Sequence, residues 1–308
     1  LINLLELYVK LVSLVLVGFI LGRKLPSTVP TRLGQFLFCV GVPISIVSFL
    51  RQTDLSGQIW IAPAIAYLAI LLGAFFAWLG IKGQTYFGNT KPEKPTQGSL
   101  LLAAMIGNTG YLGFPITLAM VGKEYFAWAL FYDLLGSFPG AYALGVALGA
   151  HFGTNLQNHS QLTQVIRAIF VNPALWSFGF GLLFRQIAIP EIWEYGLDKF
   201  AWSMVALSLV LIGMRLSKLN SLDNLPQVGI SLGIKMLIVP LILSCTLPFF
   251  GLTGPAAKVI ILQTAMPPAF ACLVIAETFN LDHNLAVTTI AIGSVLLLLT
   301  LPMWLWLF

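Results

Sequence analysis

Gly107-Asn108-Thr109-Gly110-Tyr111-Leu112-Gly113-Phe114-Pro115 interrupts an apolar run that extends over about 99–122. Its three glycines recur at every third position and leave one helical face as bare backbone. Asn108 and Thr109 are N-cap residue types, and Pro115 has no amide to offer a continuous helix. The stretch reads either as a glycine-rich packing seam between helices or as a helix broken at membrane depth. A break at that depth survives only where it is packed in protein or lines a wet cavity.

A second interruption, Gln263-Thr264-Ala265-Met266-Pro267-Pro268-Ala269, falls inside the run 255–279. Two consecutive prolines remove two backbone donors and turn the preceding residue away from helical geometry. The chain is expected to open near Met266 and to restart as a second half-helix. Taken alone, a kinked helix explains this stretch as well. Two breaks in corresponding spans of two halves are a sequence pointer to a transporter binding site.

Outward from these stretches, 58% of the 308 residues are hydrophobic and only 9% are charged. A soluble domain carries about 25% charge, so this chain lacks the polar side chains to cover a water-facing surface. A soluble enzyme, a disordered tail, a disulfide scaffold and a transmembrane barrel are excluded. What remains is an all-α polytopic membrane protein. Ten transmembrane helices are expected, near 4–22, 31–50, 59–82, 99–122, 124–150, 163–186, 193–215, 227–250, 255–279 and 283–307. The first, Leu4 to Gly22, is too long for a signal-peptide core and is expected to be a retained span.

Five spans lie on each side of the polar stretch His151–Gln161. The expected organisation is a five-helix repeat over 1–150, a cytoplasmic linker over 151–162 and a second five-helix repeat over 163–308, forming one integrated transporter unit. Leu33-Gly34-Gln35-Phe36 opens the second span as Leu197-Asp198-Lys199-Phe200 opens the seventh, and Arg51 and Arg215 close those spans in the same register. An odd number of spans per half makes the repeat inverted.

The net charge of +5 is scattered singly or in pairs between apolar runs, so nucleic acid is not an expected partner. Lys and Arg favour the loops after odd-numbered spans, which places those loops in the cytoplasm and both termini outside a plasma or inner membrane. Cys39, Cys245 and Cys272 form no C-x-x-C pair and read as small buried hydrophobes. His151, His159 and His283 fall in expected loops, and neither H-E-x-x-H nor G-x-S-x-G occurs. No enzyme activity, cofactor or metal is expected.

The electrostatics of a broken helix suggest a ligand. A half-helix start presents unpaired N–H groups that favour a carboxylate, and a half-helix end presents carbonyls that suit a cation. The candidate substrate-binding residues are therefore Gly107, Asn108, Thr109, Tyr111, Gln263, Thr264 and Pro267. Gly107, Gly110, Gly113, Pro115, Pro267 and Pro268 form the helix breaks.

Asp133, the deepest acid, reads as a site for a proton or Na+, or simply as a hydrogen-bond acceptor. Lys235 is expected to snorkel to the interface. Glu277, Asp282 and His283 are expected in a solvated loop, and Glu6 with Lys10 as an interfacial pair. Gly18/Gly22, Gly145/Gly149 and Gly229/Gly233 have dimerisation-type spacing but are expected to mark close packing within the bundle.

At its two interrupted spans the chain resembles the auxin efflux carrier family. Gly107-Asn108-Thr109 with Gly113-Phe114-Pro115 is similar to that family's Asn-Thr followed by Gly-x-Pro. Gln263 through Pro267, Ala276-Glu277 and Thr300-Leu301-Pro302 resemble its last two spans, and Val42-Pro43 and Phe131-Tyr132 also fit. The resemblance implies an inverted five-plus-five fold in which broken spans four and nine cross beside the substrate, with elevator-like transport. Related folds occur in bile-acid and sodium–proton carriers.

It also implies that Asn108 helps hold the substrate carboxylate and that Pro267 is the crossover proline, whereas Gly107 stands where plant carriers have proline. The family's substrate-contacting serine has no gapless match, with Ser45 and Ser48 its nearest candidates. The short 151–161 stretch and Asp133, at a position neutral in plant carriers, point to a bacterial-type organic-anion carrier. The expected function is a secondary transporter of a small organic anion, with a non-transporting ligand sensor on the same fold as the alternative. Expected partners are that anion, H+ or Na+, the lipid bilayer and, as an open question of assembly, a second copy in a homodimer.

Overall fold

The computed structural model describes residues 2–26, 28–53, 55, 58–87, 92–153, 172–217 and 224–307. Most of the expected linker 151–162, His159 and the side chains of Glu6 and Lys10 lie outside the described residues. Regular structure among the described residues is all helical. In chain order the helices are α1 (Ile2–Lys24), α2 (Thr28–Gln52), α3 (Ile61–Phe87), α4 (Lys94–Met105), α5 (Phe114–Met120), α6 (126–152), α7 (Pro173–Phe184), α8 (Glu191–Leu216), α9 (Leu225–Phe250), α10 (Gly254–Thr264), α11 (Phe270–Phe279) and α12 (His283–Leu307).

By length and composition, five of these (α2, α3, α8, α9 and α12) are able to cross a membrane. The runs 99–122 and 255–279 are instead each divided, into α4 with α5 and α10 with α11.

Local chemistry sets the boundaries. Asn172 caps α7 by accepting the Ala174 amide at 2.9 Å, with Pro173 in the first turn. Asn280 ends α11 in the left-handed conformation at φ 53°. Asp282 does more than the solvated-loop expectation allows. One carboxylate oxygen caps α12 through the Leu285 amide at 2.9 Å, and the other accepts Thr96 at 2.9 Å and Asn224 at 3.2 Å. It ties the starts of α4, α9 and α12 together, while Glu277 and His283 form an exposed pair as expected of a loop.

Large apolar side chains, among them Leu16, Leu71, Phe75, Leu183 and Leu299, are exposed. Lipid is the solvent for such a surface, so helix association rests on close backbone approach rather than on hiding oil from water. Helix α1 lies along α8 in this way: a Cβ on Gly18 would stand 2.0 Å from the Val210 carbonyl oxygen, and one on Gly213 would stand 1.9 Å from that of Val15.

Gly145 and Gly149 likewise face Ile275 and Phe279 of α11, but Gly229 and Gly233 face open space. The third pair therefore does not mark internal packing. Of the cysteines only Cys272 is buried. Cys39, within α2, and Cys245, within α9, are exposed, contrary to the sequence reading.

Two packing groups emerge. Helices α1, α2, α7 and α8 pack mainly on one another, and α3, α4, α6, α9, α10, α11 and α12 form a second body. Within the first group α2 and α8 run antiparallel, with Gly34 beside Arg215 at one end and Arg51 beside Glu194 at the other.

Candidate functional site

The two interruptions meet. Helix α4 stops at Met105, Ile106 is extended, and Gly107 pairs with Pro268 in an isolated antiparallel bridge. The Asn108 amide donates to the Pro267 carbonyl at 2.7 Å, and the Ala269 amide donates to the Ile106 carbonyl at 3.1 Å. Prolines 267 and 268 have no amides to strand, so two hydrogen bonds suffice to pair the backbone here. Beyond the bridge the Asn108 carbonyl accepts the Leu112 and Gly113 amides at 3.2 and 3.1 Å and starts a wide π turn, Thr109–Gly113, that leads into α5.

Each glycine of the first break makes room for one polar side chain. A Cβ on Gly107 would lie 2.8 Å from Lys235 Cε, one on Gly110 would lie 3.2 Å from Asp133 Oδ2, and one on Gly113 would lie 2.2 Å from Gln263 Oε1. Lys235 does not snorkel. It is 2% exposed, and its Nζ donates to the Thr264 carbonyl at 3.0 Å. The carbonyl end of α10, which the sequence reading offered to a bound cation, is thus met by a lysine of the chain itself.

Around this contact the polar groups pair locally. The Thr109 hydroxyl donates to Asp133 Oδ1, and Ser137 lies 3.4 Å away. Tyr132 and Thr264 share a hydrogen bond at 3.1 Å. Gln263 donates to the Thr117 hydroxyl at 3.1 Å, while its Oε1 is buried without a hydrogen-bond partner among the described residues.

Two cavities adjoin the break. The first, of about 570 Å³, is bounded by the start of α2, the end of α8, α11 and α12, and contains Arg215. The second, of about 420 Å³, is bounded by the break itself, α6, the start of α7 and the start of α11, and contains Asp133. Phe38, Asn108, Tyr111 and Phe270 belong to both and form the wall between them. Volumes of this size suit small organic solutes.

The expected site residues divide. Asn108 and Tyr111 face both cavities, while Gly107, Thr109, Gly110 and Asp133 face the second. Although Asn108 holds the N-cap position of the π turn, its side chain caps nothing, and its side-chain carboxamide makes no hydrogen bond among the described residues. Gln263 and Thr264 are wholly buried, and neither they nor Gly113, Pro267 and Pro268 line either cavity. Ser45 and Pro115 reach only a pocket of about 20 Å³, and Ser48 is buried away from all three.

Arg215 and Phe270 line the first cavity and were not among the residues the sequence singled out for a site. Arg215 looked like a charge closing a span. Its surroundings come from the antiparallel placement of α2 against α8, which periodicity does not reveal.

The family described as "Membrane transport protein" matches residues 3–148 and 154–305. An uncharacterized transporter of Methanothermobacter thermautotrophicus is 28% identical, the alignment covering 97% of this chain and 96% of the relative. One from Methanocaldococcus jannaschii is 29% identical over 89% and 88% of the respective chains. The uncharacterized transporter YfdV of Escherichia coli is 21% identical over 78% and 76%.

Proposed function

The chain belongs to the membrane transport protein family, whose auxin efflux carrier-like members it resembled in sequence, and on that premise we propose a secondary transporter of a small organic carboxylate. The observation that carries this reading is the position of Asn108, whose side-chain carboxamide, without a hydrogen bond among the described residues, stands in the wall between two cavities at the point where two helix breaks meet. The start of α11 borders both cavities at Phe270 and adds the partial positive charge of a helix N-terminus.

In this reading the ten spans form an inverted five-plus-five repeat, and the broken spans cross at the substrate. The group containing both breaks moves against the group of α1, α2, α7 and α8 in an elevator-like cycle. Asp133, held by Thr109 and facing the second cavity, is the coupling site for H+ or Na+.

Counterflow in proteoliposomes tests this reading. Vesicles loaded with unlabelled malonate, succinate, phenylacetate or indole-3-acetate should accumulate the matching labelled acid transiently. A protein that binds an acid of the series but never exchanges it would be a sensor and would contradict the carrier reading.

A further inference from the structure

Arg51 and Arg215 close their helices in the same register, yet their surroundings differ. Arg51 reaches across to the start of α8 and pairs with Glu194 at 2.8 Å. The register that matches Leu33 with Leu197 sets Pro30 against Glu194. Pro30 therefore occupies, at the start of α2, the place from which an acid would pair with Arg215. It lines the first cavity instead.

The Arg215 guanidinium passes over Gly34, where a Cβ would stand 2.8 Å from one of its nitrogens. It lies 4.0 Å from the centre of the Phe270 ring and 5.8 Å from that of Tyr111. Among the described residues no carboxylate pairs with it. A guanidinium cannot shed its charge at physiological pH, and its fork of donors matches a carboxylate. A half-buried cation of this kind, aimed into a cavity with no acid among its described lining residues, has no counter-charge among the described residues.

The second cavity has the opposite character, since Asp133 is the one charged residue among its described lining residues. An anion there would meet a carboxylate; in the first cavity it would meet Arg215. We propose that Arg215 is the charge-pairing residue for the transported acid. The solute's carboxylate lies between the guanidinium and Asn108 in the first cavity, and its apolar part lies against Phe38, Tyr111 and Phe270. The inference rests on the carboxylate-carrier reading above and adds to it the residue that selects an anion over a neutral isostere.

Ligand-induced thermal shifts of the purified carrier test it, using malonate, succinate, phenylacetate and indole-3-acetate, each beside its carboxamide. The wild type should bind at least one acid more tightly than its amide. Arg215→Gln should weaken that acid on the order of ten- to a hundredfold and leave the amide unchanged, which abolishes the preference. Arg215→Lys should restore part of it.

Pro30→Glu gives an independent arm that keeps the arginine. The new acid should occupy Arg215 from within and weaken the solute acid as Arg215→Gln does. Acid and amide weakened equally by Arg215→Gln would mean a structural role and would overturn the assignment, as would a preference that survives both Arg215→Gln and Pro30→Glu. No acid preferred over its amide by the wild type would overturn the carboxylate reading and this inference together. A preference that persists in the variants removes Arg215 alone.

Discussion

At the first break, glycines clear the backbone, and the side chain beside them, Asn108, is left with its carboxamide facing open volume. At the second, prolines remove donors, and the side chains before them turn inward. Gln263 goes to Thr117, Thr264 goes to Tyr132, and the carbonyl end of α10 goes to Lys235. The two breaks share a backbone bridge, but one opens onto two cavities and the other is closed within the protein. The difference teaches that a broken helix in lipid has freed polar groups to satisfy, and each one satisfied by the chain is unavailable to a ligand.

The sharpest way to break this contrast is to remove the amide that faces the cavities. Asn108→Ala should lower counterflow on the order of ten- to a hundredfold, through loss of hydrogen bonds to solute, at an unchanged melting temperature. Gln263→Ala and Gly113→Ala should do the reverse. Each should cost about 1–3 kcal/mol of stability, the first by emptying a packed site and the second by overfilling it. Both should keep their rate per folded molecule.

Because the Gly113 methyl would point at the Gln263 amide, the double variant should be more stable than the two single losses combined, which a double-mutant cycle in the melting temperature would measure. Asp133→Asn, which preserves shape and the Thr109 contact, should shift stability little and flatten the pH or sodium dependence of uptake. An unchanged dependence would remove Asp133 from coupling. Gly229→Ala, at a position with nothing within 4 Å, should leave uptake unaltered and change stability by no more than about 1 kcal/mol.

Both interruptions were legible in the sequence because glycine spacing and paired prolines act through the backbone alone. Which side chains they expose was not. Gln263 and Asn108 look alike as neutral amides near a break, and only the tertiary position of Thr117 decides that one is consumed. Lys235 read as a snorkelling residue because the carbonyls freed at Thr264 come from a helix distant in sequence. Arg215 carried a faint signal: its register partner Arg51 has an acid opposite, and it has Pro30. That clue gains meaning only once α2 and α8 are seen to lie antiparallel.

Cysteine accessibility measures the asymmetry most directly. With Cys39, Cys245 and Cys272 replaced by serine, Asn108→Cys and Thr264→Cys are each exposed in membranes to a small anionic methanethiosulfonate, with and without an acid that undergoes counterflow. The account predicts that the thiol at position 108 reacts and is protected by the acid, while the thiol at position 264 stays unmodified. Modification and protection at 264, with position 108 inert, would contradict it.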